Sequence, residues 1–209
     1  MKKILIINNE KDRDDFGWIP IIKEAILNIG DYEFYVLHYT EINENIFASF
    51  KPDFIYLTGR VTYDWDLEEI LQNYSQELKL IKDTTVPTIG VCAGHQLIAV
   101  AHGADFGKMV EVKQDEEDIR EKGFTKVDIV KRNRIFDGLS DNFKVYQLHR
   151  DEVKTLPEDF ELLASTEMCK IQAMKHKQKY LYSVQFHPEK YNEENIDGKI
   201  ILENFLNIK

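Results

Sequence analysis

Two short segments hold the residue types from which a covalent amide hydrolase can be built. In Gly90-Val91-Cys92-Ala93-Gly94-His95-Gln96 a thiol stands between glycines two residues to either side. A nucleophile on a sharp strand-to-helix turn needs an unusual backbone, and flanking glycines let the chain pack closely there, as in the G-x-S-x-G elbow. A helix starting just behind it aims N-terminal amides and the positive dipole end at the sulfur, which favours thiolate. The plain alternative for Cys92 is a buried strand-end cysteine. The second segment is Gln185-Phe186-His187-Pro188-Glu189, at the end of an expected strand. Residues two apart on a strand share a face, so His187 and Glu189 can stand side by side, with Pro188 where the strand leaves the ladder. A His near a Glu is usually a surface pair. Beside an activated cysteine it becomes a candidate base and its orienter. Cys169 has no comparable setting and reads as structural or incidental.

The elements that would position these groups follow an α/β pattern. An apolar run at 3–8 reads as a buried parallel strand, and Ile19, Ile22, Ala25 and Ile26 recur at helical spacing up to Gly30. Strands are expected at 33–39 and 53–58, the latter ending in Thr58-Gly59. Leu67, Ile70, Leu71, Tyr74 and Leu78 mark one amphipathic helix from about Asp64 to Ile81. Pro87 opens a strand over Thr88–Val91 that runs into Cys92, with a helix from about His95. The second half reads as short strands at 108–113, 124–130, 143–148, 160–164, 170–175 and 180–186, then a closing helix from about Glu193. Alternating strands and helices predict an α/β fold with an open, mostly parallel central sheet flanked by helices, and additional antiparallel strands in the second half. The charged stretch Asp115-Glu116-Glu117-Asp118 reads as a solvated loop.

Composition narrows the function classes. The chain has 209 residues, 43% of them hydrophobic and 31% charged, which suits one domain over 1–209 with a proper core. Its formal net charge of −10 argues against a nucleic-acid partner, since phosphate contacts need a concentrated basic face. Two cysteines exclude a disulfide scaffold. The apolar start breaks off at Asn8-Asn9-Glu10-Lys11, too short for a signal segment, and no stretch reaches membrane-spanning length, so a soluble cytoplasmic protein is expected.

Together, the cysteine and histidine segments, separated by nearly a hundred residues, resemble the signature of class I glutamine amidotransferases. Leu148-His149-Arg150-Asp151-Glu152-Val153 followed by Leu156-Pro157 is similar to the glutaminase part of GMP synthetases, and the resemblance spans essentially the whole chain. It implies a flavodoxin-like glutaminase fold with a Cys92-His187-Glu189 triad that hydrolyses the side-chain amide of glutamine and passes ammonia to a synthetase partner. It also implies oxyanion donors at the backbone amides of Ala93 and of Gly59 or Arg60, and substrate contacts from Gln96, His149, Arg150 and Asp151. Gln96 could equally be a polar helix residue facing solvent.

Two positions depart from the family pattern. Where relatives usually read Gly-Gly-Pro or Asn-Gly-Pro, this chain reads Thr58-Gly59-Arg60-Val61, and Arg150 follows His149 where a small residue is usual. Both arginine side chains are expected to face solvent; the sharper reading gives them a carboxylate, on a different γ-glutamyl amide or on the partner. A catalytically silent protein of the same fold, serving as a regulatory subunit, is the rival from outside enzymology. No metal or cofactor is expected: Cys92, His95 and His102 lack zinc-site spacing, and no phosphate-binding glycine loop is present. His95 and His102 read as helix packing residues, and His176 as a solvated turn residue.

Overall fold

The computed structural model describes residues 1–62, 65–110 and 120–208. Its first half comprises β1 (Lys2–Asn8), α1 (Ile19–Leu27), β2 (Tyr32–His38), α2 (Glu44–Phe50), β3 (Phe54–Leu57), α3 (Leu67–Asn73), α4 (Ser75–Asp83), β4 (Thr88–Val91) and α5 (Ala93–Ala101). The second half comprises β5 (Phe106–Lys108), β6 (Glu121–Ile129), β7 (Asn142–His149), β8 (Asp151–Val153), β9 (Phe160–Ser165), β10 (Ala173–His176), β11 (Leu181–Val184) and α6 (Asp197–Leu206).

Among the described residues the main sheet has nine strands in the order β2-β1-β3-β4-β11-β10-β9-β6-β7. Strands β2 to β11 in that order are parallel, and β11 to β7 are antiparallel. A separate antiparallel pair joins β5 to β8. The chain is thus an α/β protein with a mostly parallel centre and an antiparallel extension. Alternate residues of β1 divide between two apolar cores: Ile4 and Ile6 pack with α1 and α6 on one face, and Leu5 and Ile7 pack with α3, α4 and α5 on the other. Burying each such side chain contributes about 1.5–3 kcal/mol. All nine residues of α5 are buried, so the helix behind Cys92 is clamped against the sheet.

Several local expectations are corrected. The single helix from Asp64 is two, α3 and α4, and Asp64 itself lies outside the described residues. The break falls at Tyr74, which turns fully inward and donates from its hydroxyl to the Asn9 carbonyl at 3.0 Å. Asn43 caps α2 by accepting from the Asn45 amide at 3.1 Å, a helix the apolar pattern did not reveal. The closing helix begins at Asp197 because Asn192–Asn195 form a tight turn first. The acidic stretch 115–118 and the outer part of the expected 108–113 strand lie outside the described residues.

The carboxyl ends of β1, β3, β4 and β11 lie side by side through parallel register, and the loops that follow them carry Asn9, Gly59, Cys92 and His187. That edge is where open parallel sheets place ligands.

Candidate active site

Cys92 sits between β4 and α5 with φ 53° and ψ −105°, one of two described non-glycine residues at positive φ. Such a conformation costs of order 1–3 kcal/mol and persists only where the surroundings impose it. Here they do. The Cys92 amide donates to the Val184 carbonyl at 2.9 Å, and the Cys92 carbonyl accepts from the His95 and Gln96 amides. A Cβ on Gly90 would stand 2.5 Å from the Gly94 carbonyl oxygen, and a Cβ on Gly94 2.5 Å from that of Leu57. Both glycines are therefore steric requirements of the elbow. Ala93 opens α5, where first-turn amides have no intrahelical acceptor.

His187 and Glu189 meet, though by a different route from two positions on a strand. β11 ends at Val184, the His187 amide donates to Tyr146 of β7 at 2.8 Å, and Pro188–Lys190 form a 3-10 turn. Within it His187 Nδ1 lies 2.7 Å from Glu189 Oε1, and Tyr56 of β3 donates its hydroxyl to Glu189 Oε2 at 3.1 Å. Both partners are essentially unexposed. Burial alone would lower the His187 pKa, but the Glu189 carboxylate and Cys92 outweigh it and raise it to about 10. With Nδ1 bonded to the carboxylate, the other ring nitrogen, Nε2, is the one left for the Cys92 side chain. Trp18 packs its ring on the imidazole at 4.6 Å between centroids, and Lys190 lies over Trp18 and Tyr146 at 4.8 and 4.4 Å. Gly59 closes the remaining side: a Cβ there would stand 3.1 Å from His187 Cε1 and 3.3 Å from Cys92 Cβ.

A cleft of about 20 Å³ beside Cys92 is lined by residues that include Arg60, Trp65, Ala93, Gln96, His149, Arg150 and Asp151. That is room for about one water in this state. Gln96 does not face solvent; it is buried and donates to Gln185 Oε1 at 3.2 Å. Nor does Arg60. Its side chain is 1% exposed, donating to Thr62 Oγ1 (2.6 Å), Glu69 Oε1 (3.1 Å) and the Tyr74 hydroxyl (3.0 Å), because the α3 N-terminal turn brings Glu69 to it. Arg150 is also withdrawn, its side chain 20% exposed, with Nε 3.3 Å from Asp151 Oδ2. His149 sits between the Asp151 carbonyl at Nδ1 (3.0 Å) and Glu121 Oε2 at Nε2 (2.9 Å).

Glu121, Tyr56, Trp18 and Asn9 support the site yet carried no sequence signal, since each partner is distant in the chain or is a backbone group. Cys169 is fully buried beside Glu121 and His149, and burial with Glu152 and Glu121 nearby pushes its thiol well up. His95 is a packing residue as expected, with Nδ1 2.8 Å from Ser183 Oγ; burial, then His149, lower its pKa to about 3. His102 packs against the Phe160 and His176 rings. His176 is not a solvated turn residue: it is buried at the end of β10, its Nδ1 accepting from the Gln178 and Lys179 amides.

Two described groups bring three donor atoms within 4.8 Å, His102-Asp159-His176 and Glu121-His149-Cys169. His176 Nδ1 already accepts two amides, and Glu121 already accepts from Gln172 (2.5 Å) and Thr166 (2.8 Å) as well as facing His149. The second group reads as a hydrogen-bond network, and in the first His102 meets His176 by ring contact. No described helix is long and apolar enough to cross a membrane.

Comparison with known proteins agrees with this geometry. The family model for "Glutamine amidotransferase class-I" matches residues 15–208. The glutamine-hydrolysing GMP synthase subunit of Methanocaldococcus jannaschii is 42% identical over 123 residues, 59% of this chain and 60% of that protein. The same subunit from Pyrococcus furiosus is 36% identical over 76% of each chain. The match thus spans under two thirds of the length of the Methanocaldococcus relative. A solved Thermoplasma acidophilum protein, described provisionally as a GMP synthase subunit, superposes with a TM-score of 0.77 at 30% identity, covering 99% of this chain and 92% of its own. A glutamine amidotransferase of Thermotoga maritima, 20% identical with a TM-score of 0.73 over 98% and 96% of the two chains, shares the fold. The chain belongs to the class I glutamine amidotransferase family.

Proposed function

We propose that the chain hydrolyses the side-chain amide of glutamine at Cys92 and supplies the ammonia to a synthetase partner, as the glutaminase subunit of a GMP synthase. The observation that carries this reading is the Cys92 elbow facing a buried His187-Glu189 pair. The Cys92 thiolate attacks the amide carbon, and the carbonyl electrons move onto oxygen. The amides of Ala93 and of Gly59 or Arg60 receive that oxyanion, each such donor being worth about 3–4 kcal/mol. His187 gives its proton to the departing nitrogen, and ammonia leaves a glutamyl thioester. A water then attacks the thioester, His187 takes its proton, and glutamate and free Cys92 result. Gln96, His149, Arg150 and Asp151 surround the space where the α-amino and α-carboxylate groups would bind. The setting we propose is the cytoplasm, and the chemistry needs no cofactor.

Arg150 beside the cleft favours a second reading, hydrolysis of another γ-glutamyl amide or peptide. Ammonia or amine release from glutamine and a γ-glutamyl panel, measured with and without the synthetase partner, separates the two. Glutamine turnover that disappears in Cys92→Ala supports the first reading; release from γ-glutamyl peptides alone supports the second. Release from none of them leaves a silent protein of the same fold.

A further inference from the structure

The loop over 58–62, which carries Gly59 and Arg60, is held on both sides by two consecutive residues that follow β1. Asn9 takes one side. Its amide donates to Thr58 Oγ1 at 3.0 Å and its Nδ2 to the Thr58 carbonyl at 2.9 Å, and that carbonyl also accepts from the Gly94 amide at 3.1 Å. Glu10 takes the other, its Oε1 accepting from the Val61 amide at 2.7 Å. A trans peptide is planar, so holding the Thr58 carbonyl also sets the Gly59 N–H, and holding the Val61 N–H also sets the Arg60 carbonyl. The plane between them, with the Arg60 N–H, is thereby restricted from both ends.

Glu10 is itself built in. It is 1% exposed; its amide donates to Asn8 Oδ1 at 3.2 Å, and its carbonyl accepts from His38 Nε2 at 2.8 Å. Its carboxyl is seated against Gly17, where a Cβ would stand 2.5 Å from Glu10 Oε1 and where φ is 42°, a backbone that side chains rarely adopt. The next residue is Trp18, whose ring lies on His187. The Glu10 carboxyl thus joins the loop that carries Trp18 to the loop that carries Gly59, and both loops reach His187. Burying a carboxyl is costly where an apolar side chain could fill the space, so the acceptor it offers to Val61 is what distinguishes it there.

We propose that Glu10 is a positioning residue: by accepting from the Val61 amide, its carboxyl locks the 58–62 loop so that the Gly59 or Arg60 amide faces the oxyanion formed at Cys92. This role rests on the glutaminase reading, whereas the hydrogen bond itself does not. A donor fixed before the reaction stabilises charge that develops only in the transition state, so its loss falls on kcat more than on KM.

Steady-state glutaminase kinetics of the full chain with its synthetase partner check the role. Glu10→Ala should lower kcat by about 10²-fold, the scale of one lost oxyanion donor, with little change in KM. Glu10→Gln, whose side-chain oxygen can still accept from Val61, should keep most of the wild-type rate. Alkylation of Cys92 by iodoacetamide, a displacement that forms no oxyanion, should run at the wild-type rate in both variants. Wild-type kcat in Glu10→Ala, equal impairment in the two variants, or alkylation slowed as much as turnover would each overturn the proposal. NMR of the wild-type full chain reads the hydrogen bond directly, as scalar coupling between the Val61 amide nitrogen and the Glu10 carboxyl carbon. Absence of that coupling overturns the proposal even if the variants do not fold. Coupling present in a wild type that releases no ammonia counts against the glutaminase reading alone.

Discussion

Under the proposed mechanism, removing the His187 imidazole takes away both proton transfers and the cation beside Cys92, whereas Glu189→Gln keeps a side chain of the same shape but loses the charge. From the size of such losses in triad hydrolases, His187→Ala should lower kcat by on the order of 10⁶-fold and Glu189→Gln by about 10⁴-fold. Near-native turnover in His187→Ala would contradict the triad. Arg60 behaves differently. As its guanidinium is committed to Glu69, Thr62 and Tyr74, Arg60→Gly should cost about 3 kcal/mol of stability by stranding Glu69 and a buried hydroxyl. A thermal midpoint unchanged in calorimetry would show that those bonds contribute nothing. At this scale the sequence exposed the groups with unusual spacing, Cys92 between its glycines and His187 two before Glu189. It was silent on Tyr56, Trp18 and Glu121, whose roles come from partners 133, 169 and 28 positions away. It also misjudged Arg60, because Glu69 reaches it only after α3 is capped by Asp66.

The elbow is a property of three elements together. β4 delivers Cys92, α5 must cross close behind β3, and Gly94 is where the helix meets the Leu57 carbonyl. A methyl group at Gly94 has backbone, not a flexible side chain, to displace. Gly94→Ala should therefore cost about 1–3 kcal/mol or more by overpacking, lowering the melting temperature by roughly 2–12 °C, and shift Cys92 away from His187. Circular dichroism and activity together check this; wild-type values for both would mean that the close approach is not required. Element type was legible wherever a period was sustained, as in β1 and α1. Boundaries were lost where one side chain turned inward to a polar partner: Tyr74, reaching Asn9, splits what the apolar pattern alone draws as one helix.

Several buried titratable groups set how the whole molecule responds to pH. Those whose pKa is lowered by burial, His95 to about 3 and the half-buried His102 to about 4, are less protonated folded than unfolded, so stability is lost as pH falls below about 6.5. Glu77, raised to about 8, makes stability fall as pH rises from about 4.5 to 8. His187, raised to about 10, contributes stability that is complete below about 6.5 and lost as pH rises through its folded value. Below 6.5 the two histidines outweigh Glu77; above it Glu77 and His187 act in the same direction. The thermal midpoint should thus peak near pH 6.5 and decline on both sides. A midpoint still rising between pH 7 and 9 would be incompatible with these environments.

The most direct test of the central claim is to look for the covalent intermediate. The chain, together with its synthetase partner, is mixed with L-glutamine, quenched in acid and mapped by peptide mass spectrometry. The account predicts one glutamyl group on the peptide containing Cys92, none on the peptide containing Cys169, and ammonia released in step with its formation. Ammonia release with Cys92 unmodified at every quench time, or a glutamyl group found on Cys169 instead, would contradict it.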